Sequence, residues 1–464
     1  MKNLKRYIPL FITVGVFVCL FVVFNMTNTP PKQISQLSPE QSSYFEEFGT
    51  PEIYSEKYIS RNGGLLNSRI NIQPGVSEPK VTANPVKSDV FAVASNDFSA
   101  QNSAGIYITE DGGVNWDLVQ VPLSIIKVKN TFYSDPWVEY DNSGNLAFAA
   151  VVIRTDNDHR SVVFNVSRDN GKTWLDLPII LKSKESDSEG FDKPKVHFDN
   201  SKNVYVTWLE EGDGTEDVYM SISHDGGKTF GGANVIAKGE IQYDDVLFDN
   251  DKVYLVYAEE HEEIKLISSN DKGITWSDPV TIAEYEHYEK VEGGQFVIKH
   301  NGEKGVRVNS DPQALISDGK LFITFAGQAE NKDLSQIYFI SGDLQTMQFS
   351  EPRALDGNSA GDKFMPALCK DNNGTIYVLY YSSQNDPGNL MTEAYLASTK
   401  DLGNSFSFTN LSTESFDPLD IVVDGSYMGD YISLAVNRDR LVAVWTDGRQ
   451  GSLDLMAGVI PVSN

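Results

Sequence analysis

Two short motifs near the C-terminus combine groups able to handle a sugar. They are Gly429-Asp430-Tyr431 and Trp445-Thr446-Asp447-Gly448-Arg449. A tyrosine beside carboxylates and a guanidinium can act as a nucleophile or as a flat platform for a sugar ring. Asp447 and Arg449 can equally form a structural salt bridge. Similar acids recur upstream, at Glu78, Asp135, Asp192, Asp245, Asp311 and Asp362. Each opens a short apolar strand, several are followed by Pro, and Lys193 and Lys363 directly follow acids. Such a set suits glycan handling or cation binding, although acids before strands also cap turns by accepting loop amides.

The elements that would position these groups are repeated. About ten residues after each acid comes an apolar strand such as NLAFAAVV, NVYVTWL, KVYLVYA or RLVAVWT. A third strand leads into a turn that reads SRDNGKTW at 167–174, SHDGGKTF at 223–230 and SNDKGITW at 269–276. Weaker copies stand at 109–116, 341–349 and 398–406. In each turn the Asp accepts backbone amides, Gly takes the left-handed conformation, and the aromatic residue packs under the hairpin. A fourth strand then leaves. Four strands in units of roughly 50–65 residues predict an all-β propeller of four-stranded blades, seven favoured and six possible. The last unit has three strands, so Ser68–Gln73 is expected to supply its fourth and close the ring. The segment 283–308 is a long insertion between blades four and five, a place where function often resides. In this arrangement the starts of innermost strands and the ends of second strands meet at one mouth, where Asp430, Tyr431, Asp447 and Arg449 should cluster.

The turns resemble the Asp-boxes of the sialidase (neuraminidase) superfamily, also called BNR-repeat proteins, over about residues 75–460. The resemblance implies a propeller with its substrate site at the channel mouth, and the Asp-boxes themselves lying away from it. Sialidases hold a sugar carboxylate with three arginines and use a Tyr nucleophile with carboxyl partners. Here the first arginine motif reads Ser68-Arg69-Ile70-Asn71 and lacks the family's Pro. Arg154, Arg307 and Arg449 lack the family's flanking pattern. Carried onto this chain, the resemblance implies an exo-acting glycoside hydrolase. Tyr431 would attack the anomeric carbon, Asp430 would take its proton, and Asp135 or Asp192 would protonate the leaving group. Arg449, Asp447, Lys193, Asp311, Asp362 and Lys363 would contact substrate. The alternative is a non-catalytic carbohydrate- or protein-binding propeller at the cell envelope.

Composition narrows the surroundings. The 464 residues carry a formal net charge of −27, which repels nucleic acid and anionic headgroups. Lys2, Lys5 and Arg6 precede an apolar run from Ile8 to Phe24, the pattern of a signal anchor with an extracytoplasmic remainder. The expected organisation is an anchor or transmembrane helix over 1–25, a tether over 26–67 and the propeller over 68–464. Membrane contact is expected through the N-terminal helix alone, and the oligomeric state stays open. Cys19 and Cys369 form no disulfide framework, and the scattered histidines show no zinc spacing. No cofactor is expected, except that Asp244, Asp245, Asp249, Asn250 and Asp251 offer a possible oxygen cage for calcium.

Overall fold

A computed structural model describes residues 57–462, apart from 63–64, 98–103, 120–130, 155–158, 186–189, 213, 261, 287–295, 302–303, 309–311, 331–333, 358 and 424–425. The proposed anchor, most of the tether and Asp311 therefore lie outside the described residues. Among the described residues no helix is long and apolar enough to cross a membrane.

The chain forms a seven-bladed β-propeller. Blades 1 to 6 span 76–119, 131–185, 191–237, 241–284, 313–354 and 363–410, and blade 7 is built on 433–461. Within each blade the strands run antiparallel from hub to rim. Second strands are apolar on both faces because each blade packs between two others. Thus Phe91–Asp97 is buried throughout, and Leu146–Arg154 is buried up to its last residue. Trp208 and Trp445, fully buried, fill the wedges between blades.

Blade 7 is completed from the other end of the chain. Leu65–Arg69 pairs antiparallel with Asp454–Pro461, and Ile59–Asn62 adds a fifth strand outside it. The closing strand thus starts earlier than the expected Ser68–Gln73. The chain leaves the edge at Ile70, which is buried, and Asn71 turns it by binding Asp454 and the Leu455 amide. Residues 59–62 and 65–67, read as tether, belong to the sheet. Arg69 pairs with Met456 on the rim strand, not at the hub.

The recurrent Asp turns sit between third and fourth strands, as the spacing requires. Asp169 accepts the amide and hydroxyl of Thr173 at 2.7 and 2.6 Å, and Ser167 Oγ accepts the Gly171 amide at 2.7 Å. Asp225, Asp271 and Asp401 repeat the pattern. These bonds to the ionised form hold Asp271 and Asp401 down at about 2. Gly171 has φ +81°, and a Cβ there would stand 2.7 Å from Ile108 of blade 1. The turn is therefore also a seam between blades.

Gly171→Ala is expected to lose about 1–3 kcal/mol of stability, from the left-handed backbone and the clash together, read as a shift in denaturant midpoint.

Candidate active site

The innermost strands of blades 1, 2, 3 and 6 share a device. Each breaks register, between Ser77 and Lys80, Ser134 and Trp137, Asp192 and Lys195, and Phe364 and Ala367. At each break one residue takes positive φ: Glu78 at 56°, Asp135 at 50°, Lys193 at 45° and Met365 at 50°. Each of them precedes a proline, Pro79, Pro136, Pro194 or Pro366. Proline has no amide to give the ladder, so the strand bulges and re-aims the residue before it. The recurring acid before each strand put Asp192 and Asp362 at this position. The structure puts Lys193 and Met365 there.

Glu78 and Asp135 meet at the hub across Asn96, which ends the second strand of blade 1. Asn96 Nδ2 donates to Glu78 Oε2 at 2.8 Å and to Asp135 Oδ1 at 3.3 Å, and its Oδ1 accepts the Asp135 amide at 2.9 Å. Asp135 is also hydrogen-bonded to Asp192. On the other side, the Asp430 amide donates to Glu78 Oε1 at 3.0 Å. Gly429, with φ +103°, makes that approach possible, since a Cβ would lie 3.1 Å from the Glu78 nitrogen. Four acidic residues at the starts of blades 7, 1, 2 and 3 are thus linked in sequence, through the Asp430 amide, the Asn96 side chain and the Asp135–Asp192 contact.

Burial decides their protonation. Glu78 is pushed up to about 8, first by burial and then by Asp430, with Arg307 opposing. Asp135 is pushed well up by burial, Asp192 and Glu78. Burial therefore favours the neutral form of both, and Glu78 and Asp135 influence each other's protonation. The Tyr431 hydroxyl is raised as well, by burial, Glu78 and Asp135, so it stands as a phenol. Its ring lies 6.2 Å from that of Trp137.

The inserted segment closes one side of the mouth. Its hairpin, Val297–Asn301 with Lys304–Arg307, packs Ile298 and Val306 into the hub cluster with Phe364, Tyr427 and Met428. It delivers Arg307, whose Nε and Nη2 bind Asp430 Oδ1 and Oδ2 at 2.8 and 2.7 Å. The guanidinium carbon lies 4.9 Å from the Tyr427 ring centroid, and the Tyr427 hydroxyl bonds Ser77 at 3.0 Å.

The remaining candidates are engaged elsewhere. Asp447 and Arg449 grip each other at 2.8 and 2.7 Å, and Arg449 also binds Thr413 and Asn67 of the closing strand. This pair secures the ring and makes no direct contact with the Asp430 chain. Asp362 accepts the Ser335 amide and the Asn389 side chain and pairs with Lys299 of the hairpin at 3.7 Å. Lys363 is fully buried, bound to the carbonyls of Ser359, Ala360 and Gly361 and to Asp356. Lys193 donates to the Gln242 carbonyl at 3.0 Å. Of the five residues suggested for calcium, Asp244 binds Thr207 and Lys195, Asp245 accepts the Ala314 amide, and Asp249 to Asp251 lie in a hairpin turn. Among the described residues no three His, Cys, Asp or Glu side chains converge as metal ligands. Sequence reasoning placed Glu78 at the mouth but gave it no role. It missed Asn96 and Trp137, and it named Arg307 without a role. The left-handed residue before proline was the legible signal for Glu78. Arg307 carries none, because its position depends on how the insertion docks.

The chain is similar to solved sialidase and arabinanase structures. A Hadza microbial sialidase matches at 12% identity and a TM-score of 0.48, over 83% of this chain and 66% of that one, just under two thirds of its length. A Penicillium chrysogenum α-L-arabinanase complexed with arabinobiose matches at 14% identity and a TM-score of 0.42, over 83% and 93% of the two chains. An ulvan lyase of a polysaccharide lyase family matches at 10% identity and a TM-score of 0.42, over 69% and 82%. The likeness is one of fold. No family model and no curated protein matches the chain.

Arg307→Met should leave Asp430 buried without its partner and cost about 3–5 kcal/mol, while pairing it with Asp430→Leu should recover most of the loss; equilibrium unfolding of both variants decides this. Glu78 binds a proton more tightly folded than unfolded. Its contribution is therefore full below its ordinary value of 4.5 and is lost as pH rises through about 8. Glu78→Gln should flatten the fall in unfolding free energy across that window.

Proposed function

We propose that this chain is an exported, membrane-anchored propeller that acts on glycans as a glycoside hydrolase. The observation that carries the reading is the pair of buried carboxyls, Glu78 and Asp135, held on either side of Asn96 beside Trp137, where burial favours their neutral forms. A carboxylic acid that keeps its proton at neutral pH is what protonation of a glycosidic oxygen requires. In this reading Glu78 or Asp135 protonates the leaving oxygen. Water adds to the anomeric carbon as the bond to the leaving oxygen breaks, and Asp192, hydrogen-bonded to Asp135, takes the water's proton. Trp137 and Tyr431 form the apolar wall for the sugar ring. Arg307 and Asp430 hold Glu78 in place from behind. Export is supported by the basic residues before the apolar run Ile8 to Phe24.

The full-length chain in mild detergent, assayed on chromogenic arabinosides, hexosides and sialosides, is expected to hydrolyse at least one. Its rate should fall as pH rises through about 8, where Glu78 loses its proton. Glu78→Gln and Asp135→Asn should each lower kcat by about 10²–10⁴-fold with folding intact. Glycan binding with no turnover on any of these substrates would establish a binding module in its place.

A further inference from the structure

We propose that the mouth takes an uncharged sugar and turns away carboxylated ones, with Asp430 setting the preference; the inference rests on the hydrolase reading for the identity of the site. A sugar carboxylate is best held by a guanidinium that can offer two parallel N–H groups. Arg307 stands at the mouth, but its Nε and Nη2 are committed to the two oxygens of Asp430 at 2.8 and 2.7 Å. The pair is buried, with Arg307 5% and Asp430 9% exposed, so a ligand cannot displace Asp430 without uncovering its charge.

Two further cations near the hub are ion-paired, and a third is held by a carbonyl. Lys80 pairs with Glu139 at 3.3 Å, Lys195 with Asp244 at 3.6 Å, and Lys193 gives its ammonium to the Gln242 carbonyl. Beside the committed pair the hub sets Glu78 and Asp135, carboxyls that burial biases toward a neutral form able both to donate and to accept, and the buried rings of Trp137 and Tyr431, with the Lys80 ammonium 4.4 Å from the Trp137 ring centroid. Sugar hydroxyls and ring faces match that set.

Glu78 reports directly on how the hub treats negative charge. It lies between Asp430 and Asp135, within reach of Arg307's field, and still keeps its proton up to about 8. A ligand carboxylate placed beside it would meet the same burial and the same neighbours.

The test compares matched pairs that differ only in CH₂OH against COO⁻: glucose with glucuronate and galactose with galacturonate. Binding to the full-length chain is read by ligand-observed NMR, and hydrolysis with the corresponding p-nitrophenyl glycosides. The wild type is expected to favour the neutral member by at least ~10-fold. Asp430→Asn keeps the shape and an acceptor oxygen but releases Arg307's charge, and should raise relative uronate binding by ~10-fold or more. Adding Arg307→Met should abolish that gain. A wild-type preference for the uronates overturns the proposal, as does an unchanged ratio in an Asp430→Asn protein that melts like the wild type. If that variant does not fold, the wild-type ratio decides. Discrimination in binding without turnover leaves the charge preference standing and removes the hydrolase reading. Binding of none of the four sugars overturns the charge preference, and the hydrolase reading falls with it only if the arabinosides and sialosides are not turned over either.

Discussion

A sheet edge left unpaired in water is a liability, and a ring of blades has one place where the edge must be met by a distant part of the chain. Here Leu65–Arg69 meets it by pairing with Asp454–Pro461, across nearly the whole sequence. The joint is reinforced. Asn67, fully buried, donates to the Leu411 carbonyl and accepts from Thr413 and Arg449. Asp447 orients Arg449 and also receives the Trp445 indole at 2.7 Å. Only when the ring is shut do blades 7 and 1 adjoin, and only then does the Asp430 amide reach Glu78. The chemistry at the hub thus depends on a strand at the rim.

Rim and hub divide the polar groups between two purposes. At the rim, carboxylates are exposed, ionised and saturated with amide bonds, as in Asp225 and Asp271. Their bonds favour the charged form, which is the behaviour of a structural clamp. At the hub, carboxyls are buried and crowded by one another. Burial and mutual repulsion favour the neutral form at Glu78 and Asp135, which is the behaviour of an acid. One residue type performs opposite roles according to whether water or another carboxyl stands beside it.

The insertion between blades 4 and 5 gives the mouth its asymmetry. Lys299 and Arg307, one on each strand of its hairpin, engage Asp362 and Asp430, and the apolar residues between them join the hub core. Blades 6 and 7 are therefore bridged by this cover, while the bulged strands of blades 1 to 3 present Glu78, Asp135 and Lys193. The strained residues before Pro79, Pro136 and Pro194 are held by the hydrogen bonds around them, as the grip of Asn96 on Asp135 illustrates.

The sequence alone determined the repeat. Asp turns and alternating strands are local features, specified by side-chain to backbone bonds within eight residues and by a period of two along each strand, so seven blades, their antiparallel order and a closing N-terminal strand were all legible. The convergence of Asp135, Asp192 and Asp430 at the hub followed from topology in the same way. What only the tertiary structure decided was which acid meets which. Asp447 and Arg449 read equally as substrate-binding residues or as a structural salt bridge, and the structure shows them gripping each other at the ring joint. Asp362 and Lys363 aligned with the mouth acids, yet a bulge three residues on gives that position to Met365. Arg307 had no local signature at all. The reason is physical: a turn needs only its own atoms, whereas protonation, pairing and the docking of an inserted hairpin depend on fields and surfaces assembled from segments hundreds of residues apart.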